Sequence, residues 1–435
     1  MIKIFIEEIV KKIWREETEL YNTIYNRIIE TNIWKVYEET IEEIRKNAVN
    51  GIESKEYTET ILETMGCTYC CKKGVFCGCS MCDWDSLLIN MMAHMSVLRK
   101  RNIDLYAKAV RFSFSYIRGE QVRGNTIEEI AVHNAFCDWQ MPNEVIKELF
   151  ENNSVYERTP AVGILQARAS SINIERICQW KKIYKKVVSI GIGVECSDEW
   201  LRIHWLNKGI NNKQIIDALH LIKEGRCNTN ANVLLGMPGF TERQSIEEFE
   251  ETIGWLYNNP DVDLITVSPL VTRRKTIQGV LKNISDRNAE PITLISMFKA
   301  LYNIVNKYPG VESKIVLSPP NCQSFFEQSF IYKGGRYQKL EENIISFLKP
   351  LIRIGSSNLL KQIIYSDIIK DAEYKSYNYD IYKQPGRMDL KEQLLKIAEL
   401  ISCTLFGDKS KDISNIFKNE LAKWKIISNY YFILK

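Results

Sequence analysis

Six of the chain's twelve cysteines, Cys67, Cys70, Cys71, Cys77, Cys79 and Cys82, fall within GCTYCCKKGVFCGCSMCDWD, residues 66–85. Core packing does not call for thiols at that density. Soft thiolates crowded on one loop are what zinc or an iron–sulfur cluster takes. Two arrangements compete. Cys67-x-x-Cys70 and Cys79-x-x-Cys82 are two CxxC pairs able to close a tetrahedral four-thiolate zinc site, although the eight residues between them are few for a zinc ribbon. In the second arrangement three cysteines hold a [4Fe–4S] cluster, and one iron is left open for another molecule to chelate.

The loop must be positioned by its flanks. YTETILET (57–64) alternates and is rich in Thr and Ile, which predicts a strand ending just before the cysteines. SLLINMMAHMSVLRKR after them predicts an apolar, Met-rich helix on which His94 reads as a packed residue rather than a ligand. Downstream, β-rich runs alternate with amphipathic helices: 127–135, 161–167, 186–195, 229–237 and 262–270 are the expected strands. Six strands separated by helices imply parallel pairing with right-handed crossovers. The fold class expected is therefore α/β, as a doubly wound sheet or a partial (β/α)6 barrel of TIM type. No GxGxxG follows a strand, which weakens the nucleotide-binding open sheet. In both architectures function lies at the strand C-termini, where the cysteine loop also falls.

Residues 1–50 show apolar positions at three-, four- and seven-residue steps (Ile9, Ile13, Leu20, Ile24, Ile28) and predict a helical cap. Residues 51–322 form the expected α/β domain, and 323–435 a C-terminal helical region. The chain has 435 residues, 45% of them apolar, and 58 basic against 54 acidic side chains. That balance makes no electrostatic case for nucleic acid. No run approaches the length of a membrane span, and the first residues lack the pattern of a secretory signal. Cysteines concentrated in one cluster point to a reducing, cytoplasmic setting.

The motifs bear a specific resemblance. Gly66-Cys67 followed by Cys79-Ser80-Met81-Cys82-Asp83-Trp84 resembles the first-strand loop of the radical S-adenosylmethionine (SAM) enzymes, most of all the branch of the archaeosine synthase radical subunit, with the Elongator catalytic subunit more distant. Gly193-Val194-Glu195-Cys196-Ser197-Asp198 with Leu206-Asn207-Lys208-Gly209, then Leu234–Gly239, Ser268–Val271 and Pro319–Cys322, extend the likeness over residues 57–322. Cys70, Cys71 and Cys77 are extra to the pattern, and Pro320 stands where relatives tend to have His.

The resemblance implies Cys67, Cys79 and Cys82 as ligands of an open-site [4Fe–4S] cluster, with SAM chelating the fourth iron. One electron would then split SAM into methionine and a 5′-deoxyadenosyl radical that takes hydrogen from a substrate. It implies that backbone carbonyls of Asn134, Ala135 and Phe136 meet the SAM amino group. Gln166 and Arg168 end the third strand, where a charge-assisted pair from Arg168 to a carboxylate is expected. Glu195 is a candidate to hold the SAM ribose or a cationic group, Gly236 to permit close approach of adenine, and Trp84 to shield the cluster or adenine. A small molecule, peptide or modified nucleoside is the expected substrate, and a flavodoxin or ferredoxin the expected electron donor. The competing reading is a zinc-binding scaffold or nucleic-acid-binding protein without catalysis, built on the two CxxC pairs; beyond that reading, nucleic acid has no support as a partner.

Overall fold

A computed structural model describes residues 4–47, 57–119, 127–151, 162–284, 291–330, 337–352 and 357–425. The β-rich runs become strands β1 (Tyr57–Ile61), β4 (Ile127–Ala131), β5 (Val162–Ala167), β6 (Val187–Glu195), β7 (Asn228–Leu235) and β8 (Leu264–Pro269), joined by a further strand, β9 (Ile315–Leu317). Between β1 and β4 a small hairpin, β2 (Cys71–Lys72) and β3 (Val75–Phe76), rises from the cysteine loop. All pairings in the main sheet are parallel, in the order β1-β4-β5-β6-β7-β8-β9. Spatial order following chain order means winding in one direction, as in a half barrel, and excludes the doubly wound alternative with its reversal of order. The sheet has seven strands where the sequence predicts six, because three residues of β9 are too few to display a period.

The crossovers are helical. Helices α4 (Ile89–Arg101) and α5 (Ile103–Gly119) follow the cysteine loop, then α6 (Asn143–Phe150), α7 (Ile174–Ile183), α8 (Asn212–Glu224), α9 (Glu242–Tyr257), α10 (Ile277–Ile284) and α11 (Leu294–Lys307) link later strands. Side-chain capping boxes start three of them, at Asn211/Gln214, Thr241/Gln244 and Thr293/Ser296, satisfying amides that the first turn leaves open. The stretch between β6 and α8 is not continuous helix: a π-helical turn over Leu201–Trp205 is followed by Asn207 and Gly209 at φ 52° and 61°. Wholly buried Arg202 ties that turn together, donating to the carbonyls of Cys196 and Ile210 and to Asn212. Along β4 and β5 burial alternates, so outward residues pack under helices and residues such as Glu129 and Gln166 face the concave side.

Three helices, α1 (Phe5–Ile13), α2 (Arg15–Ile28) and α3 (Ile33–Asn47), form the N-terminal cap; the expected boundary at residue 50 lies outside the described residues. The cap sits on the cysteine loop's hairpin. Trp14 stacks on Phe76 at 5.4 Å, Thr18 accepts the Phe76 N–H at 3.1 Å, and Asn22 donates to Gly74 O at 2.8 Å. His94 is packed as expected, bonded to Asn90 O at 2.8 Å and 3.3 Å from Glu39.

The boundary expected at 322/323 falls inside helix α12 (Pro319–Phe330). The C-terminal region continues with α13 (Gln338–Leu348), α14 (Ser357–Leu360), α15 (Ala372–Ile381), α16 (Leu390–Phe406) and α17 (Ser410–Leu421). It closes back onto both the cap and the barrel: Phe5 packs on Phe417 at 4.6 Å and donates its N–H to Glu420 at 2.9 Å. Trp424 stacks on Trp200 at 4.5 Å and donates to Asp198 at 3.1 Å.

Arg387 docks the same region against Glu248, at 3.1 Å, Glu251 and Asp198. Burial pushes the Glu248 carboxyl from 4.5 up to about 8, against the pull of Arg387. The folded chain then keeps a proton that the unfolded chain has released, so stability falls as pH rises between these two values and levels off above them. Urea denaturation across that range is expected to show the slope, and Glu248→Gln to flatten it. An identical slope in the variant would contradict this account.

Candidate metal and cofactor site

The cysteine loop is held from several sides before any ligand is considered. The Cys67 N–H donates to Asp85 Oδ2 at 3.1 Å, and Asp85 is buried. Ser80, between Cys79 and Met81, donates from its amide to Leu206 O at 2.9 Å and from its hydroxyl to Trp205 O at 2.7 Å. Its carbonyl accepts the Ile277 N–H at the start of α10 at 3.0 Å. Asn207 donates to Gly78 O at 2.7 Å and at its own carbonyl accepts the Tyr69 hydroxyl, also at 2.7 Å. The Asn207-Lys208-Gly209 motif is thus the clamp on the cysteine loop. Gly209 has to be glycine twice over, for its φ of 61° and because a Cβ there would stand 2.6 Å from the Tyr69 oxygen.

Within this frame three thiols share one electrostatic environment. Burial pushes Cys67 up to about 12, with Asp85 and Cys79 adding to it. Burial raises Cys82 as well, followed by Cys79 and, more weakly, Asp85 and Cys67. Cys70 is buried and feels Cys67, Cys79 and Cys82 together. Cys71 is perturbed by burial and Asp85, and Cys77 by burial, Glu7 and Lys11. Without a cation such thiols hold their protons, whereas a metal centre stabilises the thiolates and reverses that balance. Among the described residues no three His, Cys, Asp or Glu side chains gather closely enough to hold one metal ion. The four-thiolate zinc site weighed from the sequence is therefore not assembled by Cys67, Cys70, Cys79 and Cys82. A cluster asks less of the protein, since each thiolate meets a separate iron.

Beside the loop, a cavity of about 430 Å³ occupies the concave side of the sheet. Cys82 and Trp84 line it together with Gln166 and Glu195, four of the residues singled out from the sequence. Glu195 sits where the β6–β7 register shifts and has a φ of 65°, an unusual conformation for a residue with a side chain. It pairs with Lys208 at 2.5 Å, both side chains largely buried. Gln166 belongs to a polar ladder crossing the cavity floor: Tyr57 donates to Glu129 at 2.6 Å, Gln166 to Glu129 at 2.5 Å, and Asn232 to Gln166 at 2.8 Å. Burial raises the Glu129 carboxyl even though Tyr57 and Gln166 both favour its charged form.

The remaining expected residues lie outside the cavity wall. Arg168 stacks over the Tyr69 ring at 3.7 Å and donates to Lys208 O at 2.5 Å, so it braces the cysteine loop. The Asn134 and Ala135 carbonyls accept from the Cys137 N–H and the Trp180 indole, and no described hydrogen bond engages that of Phe136. Gly236, at φ 95°, packs its open side against Ile292 and Leu270.

Sequence reasoning missed His133 and Asp85. His133 lines the cavity, meets the Trp84 ring edge-on at 6.3 Å, and stands 2.9 Å from Asp85 in a contact not aligned for a good hydrogen bond. Burial opposes its charged form, but Asp85 and Glu63 outweigh that and hold its pKa above the ordinary value. Asp85 carried a signal, being an acid three residues after Cys82 in the motif; His133 carried none.

No protein-family model matches the chain. It is 27% identical over 190 residues to an uncharacterized protein of Methanocaldococcus jannaschii, a match that covers 43% of this chain and 48% of the relative, about half its length. Among solved structures it is similar to archaeal Elp3 of Methanocaldococcus infernus, with 12% identity over 68% of this chain and 64% of that one and a TM-score of 0.40. It is also similar to coproporphyrinogen III oxidase of Escherichia coli, a radical SAM enzyme, with 12% identity, coverage of 62% and 55%, and a TM-score of 0.37. A third is TsrM of Kitasatospora setae, a radical SAM methyltransferase with cobalamin and a [4Fe–4S] cluster bound, with 14% identity, coverage of 53% and 36%, and a TM-score of 0.34. At scores this low the likenesses carry no argument. Among the described residues no helix is long and apolar enough to cross a membrane.

Proposed function

We propose that this chain is a radical SAM enzyme in which Cys67, Cys79 and Cys82 hold an open-site [4Fe–4S] cluster beside the half-barrel cavity. The observation that carries the reading is geometric: the cysteine loop is clamped through Asp85, Ser80 and Asn207, with Cys82 and Trp84 on the wall of a cavity large enough for a small ligand. When bound, such a cluster supplies one electron to the sulfonium of SAM, which yields methionine and a 5′-deoxyadenosyl radical able to take hydrogen from a substrate.

The protein's part is to bind, orient and exclude water. Trp84 covers the approach between Cys82 and His133. Glu195, aimed by its bulge and backed by Lys208, offers a carboxylate to ribose hydroxyls or a cationic group. The Phe136 carbonyl is the acceptor of its triplet left for an amino group. The ladder from Tyr57 to Asn232 offers acceptors and amides to a small-molecule, peptide or nucleoside substrate. A reducing, cytoplasmic setting and a protein electron donor complete the reading.

Anaerobic reconstitution tests it. Brown protein with about four irons per chain that converts SAM to methionine and 5′-deoxyadenosine under dithionite is expected. Reconstituted protein that leaves SAM intact would overturn the assignment, as would colourless protein with stoichiometric zinc.

A further inference from the structure

A second cavity, of about 390 Å³, lies between the cysteine loop and the N-terminal cap. It shares no lining residue with the half-barrel cavity, and the loop contributes Cys67 to this one and Cys82 to the other. A cluster on these cysteines would thus be approached from two sides. The two linings differ in charge. The half-barrel cavity carries Glu59, Glu129 and Glu195 with Arg273 and His133, whereas the cap-side cavity carries Lys73 and Lys100 and, among the described residues, no carboxylate.

The surroundings extend the positive field. Lys72 is exposed beside Lys73, Arg101 is exposed beside Lys100, and Arg99 lies over the half-exposed Trp139 ring at 4.5 Å. Asp138, next to Trp139, is an exposed acid on this side, 3.8 Å from Arg176, and stands against the five basic side chains just named. Lys73 and Gly74 form the two-residue hairpin turn, with φ of 52° and 78°. Asn or Gly is the usual residue at the first of these positions, so a lysine there is held against the backbone preference of its type. The cap fixes this tip. Asn22 bonds Gly74 O, and any side chain at position 74 would overlap Asn22. A rigid basic rim around an aromatic-lined cavity leading to Cys67 is an unusual thing to build by packing alone.

We propose that this face docks a small acidic protein carrying one electron at an exposed redox centre, and that the electron enters on the Cys67 side while SAM and substrate occupy the half barrel. The inference rests on the cluster assignment above. In the step itself the carrier is oxidised by one electron and the cluster reduced by one, with no bond made or broken at the interface. Transient electron-transfer encounters bury little area and are steered by complementary charge, so association should weaken steeply with salt. The N-terminal cap then has a role beyond covering the loop, since its α2 helix supplies one wall of the entry.

Reduced flavodoxin, an acidic carrier, serves as the probe. Its association with the reconstituted protein is measured by calorimetry at low and high ionic strength, alongside SAM cleavage driven by flavodoxin or by dithionite. Lys73→Glu combined with Lys100→Glu is expected to weaken association and flavodoxin-driven cleavage by about tenfold or more, and to leave iron content and dithionite-driven cleavage at the wild-type level. The double Lys→Gln variant, which removes charge without reversing it, should fall between, and Lys391→Glu with Lys396→Glu on the far α16 should change nothing. Unchanged flavodoxin affinity in the Lys→Glu variant, or no association with the wild-type protein at low salt, would overturn the docking face. Failure of dithionite to cleave SAM in the wild-type protein would instead overturn the cluster assignment.

Discussion

Cys82→Ala is expected to reduce reconstituted iron from about four per chain to near none and to abolish SAM cleavage, while the melting transition barely moves. The asymmetry follows from where the residue stands. Cys82 lines the half-barrel cavity, recessed among protein atoms but with its side chain open to that space rather than packed in the core, so the fold loses little more than the ~0.5 kcal/mol of an ordinary surface change. The proposed centre, by contrast, loses one of three thiolates, and the imidazole of His133 on the same cavity wall is biased by Asp85 towards its charged form. Cys79→Ala and Cys67→Ala should behave alike. Cys71→Ala and Cys77→Ala should keep their iron, since burial and neighbours other than the three candidate ligands dominate these two thiols. Cys70→Ala is the discriminating variant, because Cys70 feels all three. Retained iron there supports the assignment, while loss of iron there with retention in Cys67→Ala would exchange the two. Iron and sulfide assays beside thermal melts check each case.

Gly279→Ala should be among the most damaging single-methyl additions in the chain. Position 279 is buried within α10, where alanine would ordinarily stabilise by roughly 0.5–1 kcal/mol over glycine. Here a Cβ would overlap the Arg273 carbonyl and stand 2.8 Å from that of Arg274. Both are backbone atoms, so no rotamer change relieves the contact. Overpacking of this kind costs about 1–3 kcal/mol, which outweighs the helix gain. The damage should also reach the site. The displaced segment includes Arg273 on the cavity wall, and the first turn of α10 donates from Ile277 to Ser80 inside the Cys79–Cys82 turn. Lower denaturation midpoint together with lower iron loading is the expected pair of results. Gly310→Ala is the comparison, with φ 85° and nothing near its open side, so only the backbone cost of about 1–2 kcal/mol applies. A Gly279 variant as stable as the parent would show that the 273–274 segment yields freely.

The alternation of strand and helix, the helical ends and the cysteine loop between β1 and α4 were legible in the sequence, because each is written in neighbouring residues. Strand and helix periods repeat every two and 3.6 residues, capping boxes act over three, and six cysteines in one loop need no partner elsewhere to be noticed. β9 escaped because three residues carry no period, and the split before α8 because Asn207 can take a left-handed backbone that composition alone does not reveal. What only the tertiary structure decided is which distant residues meet. Glu129, Gln166 and Asn232 come from three strands and form one ladder solely because the sheet is parallel and in chain order. His133 finds Asp85 across the β1–β4 edge. The Asn207 clamp on the cysteine loop, and the closing of Phe5 on Phe417, join positions more than a hundred residues apart. Local periodicity cannot encode such meetings; strand order and register create them, and with them the two separate cavities on which Cys67 and Cys82 open.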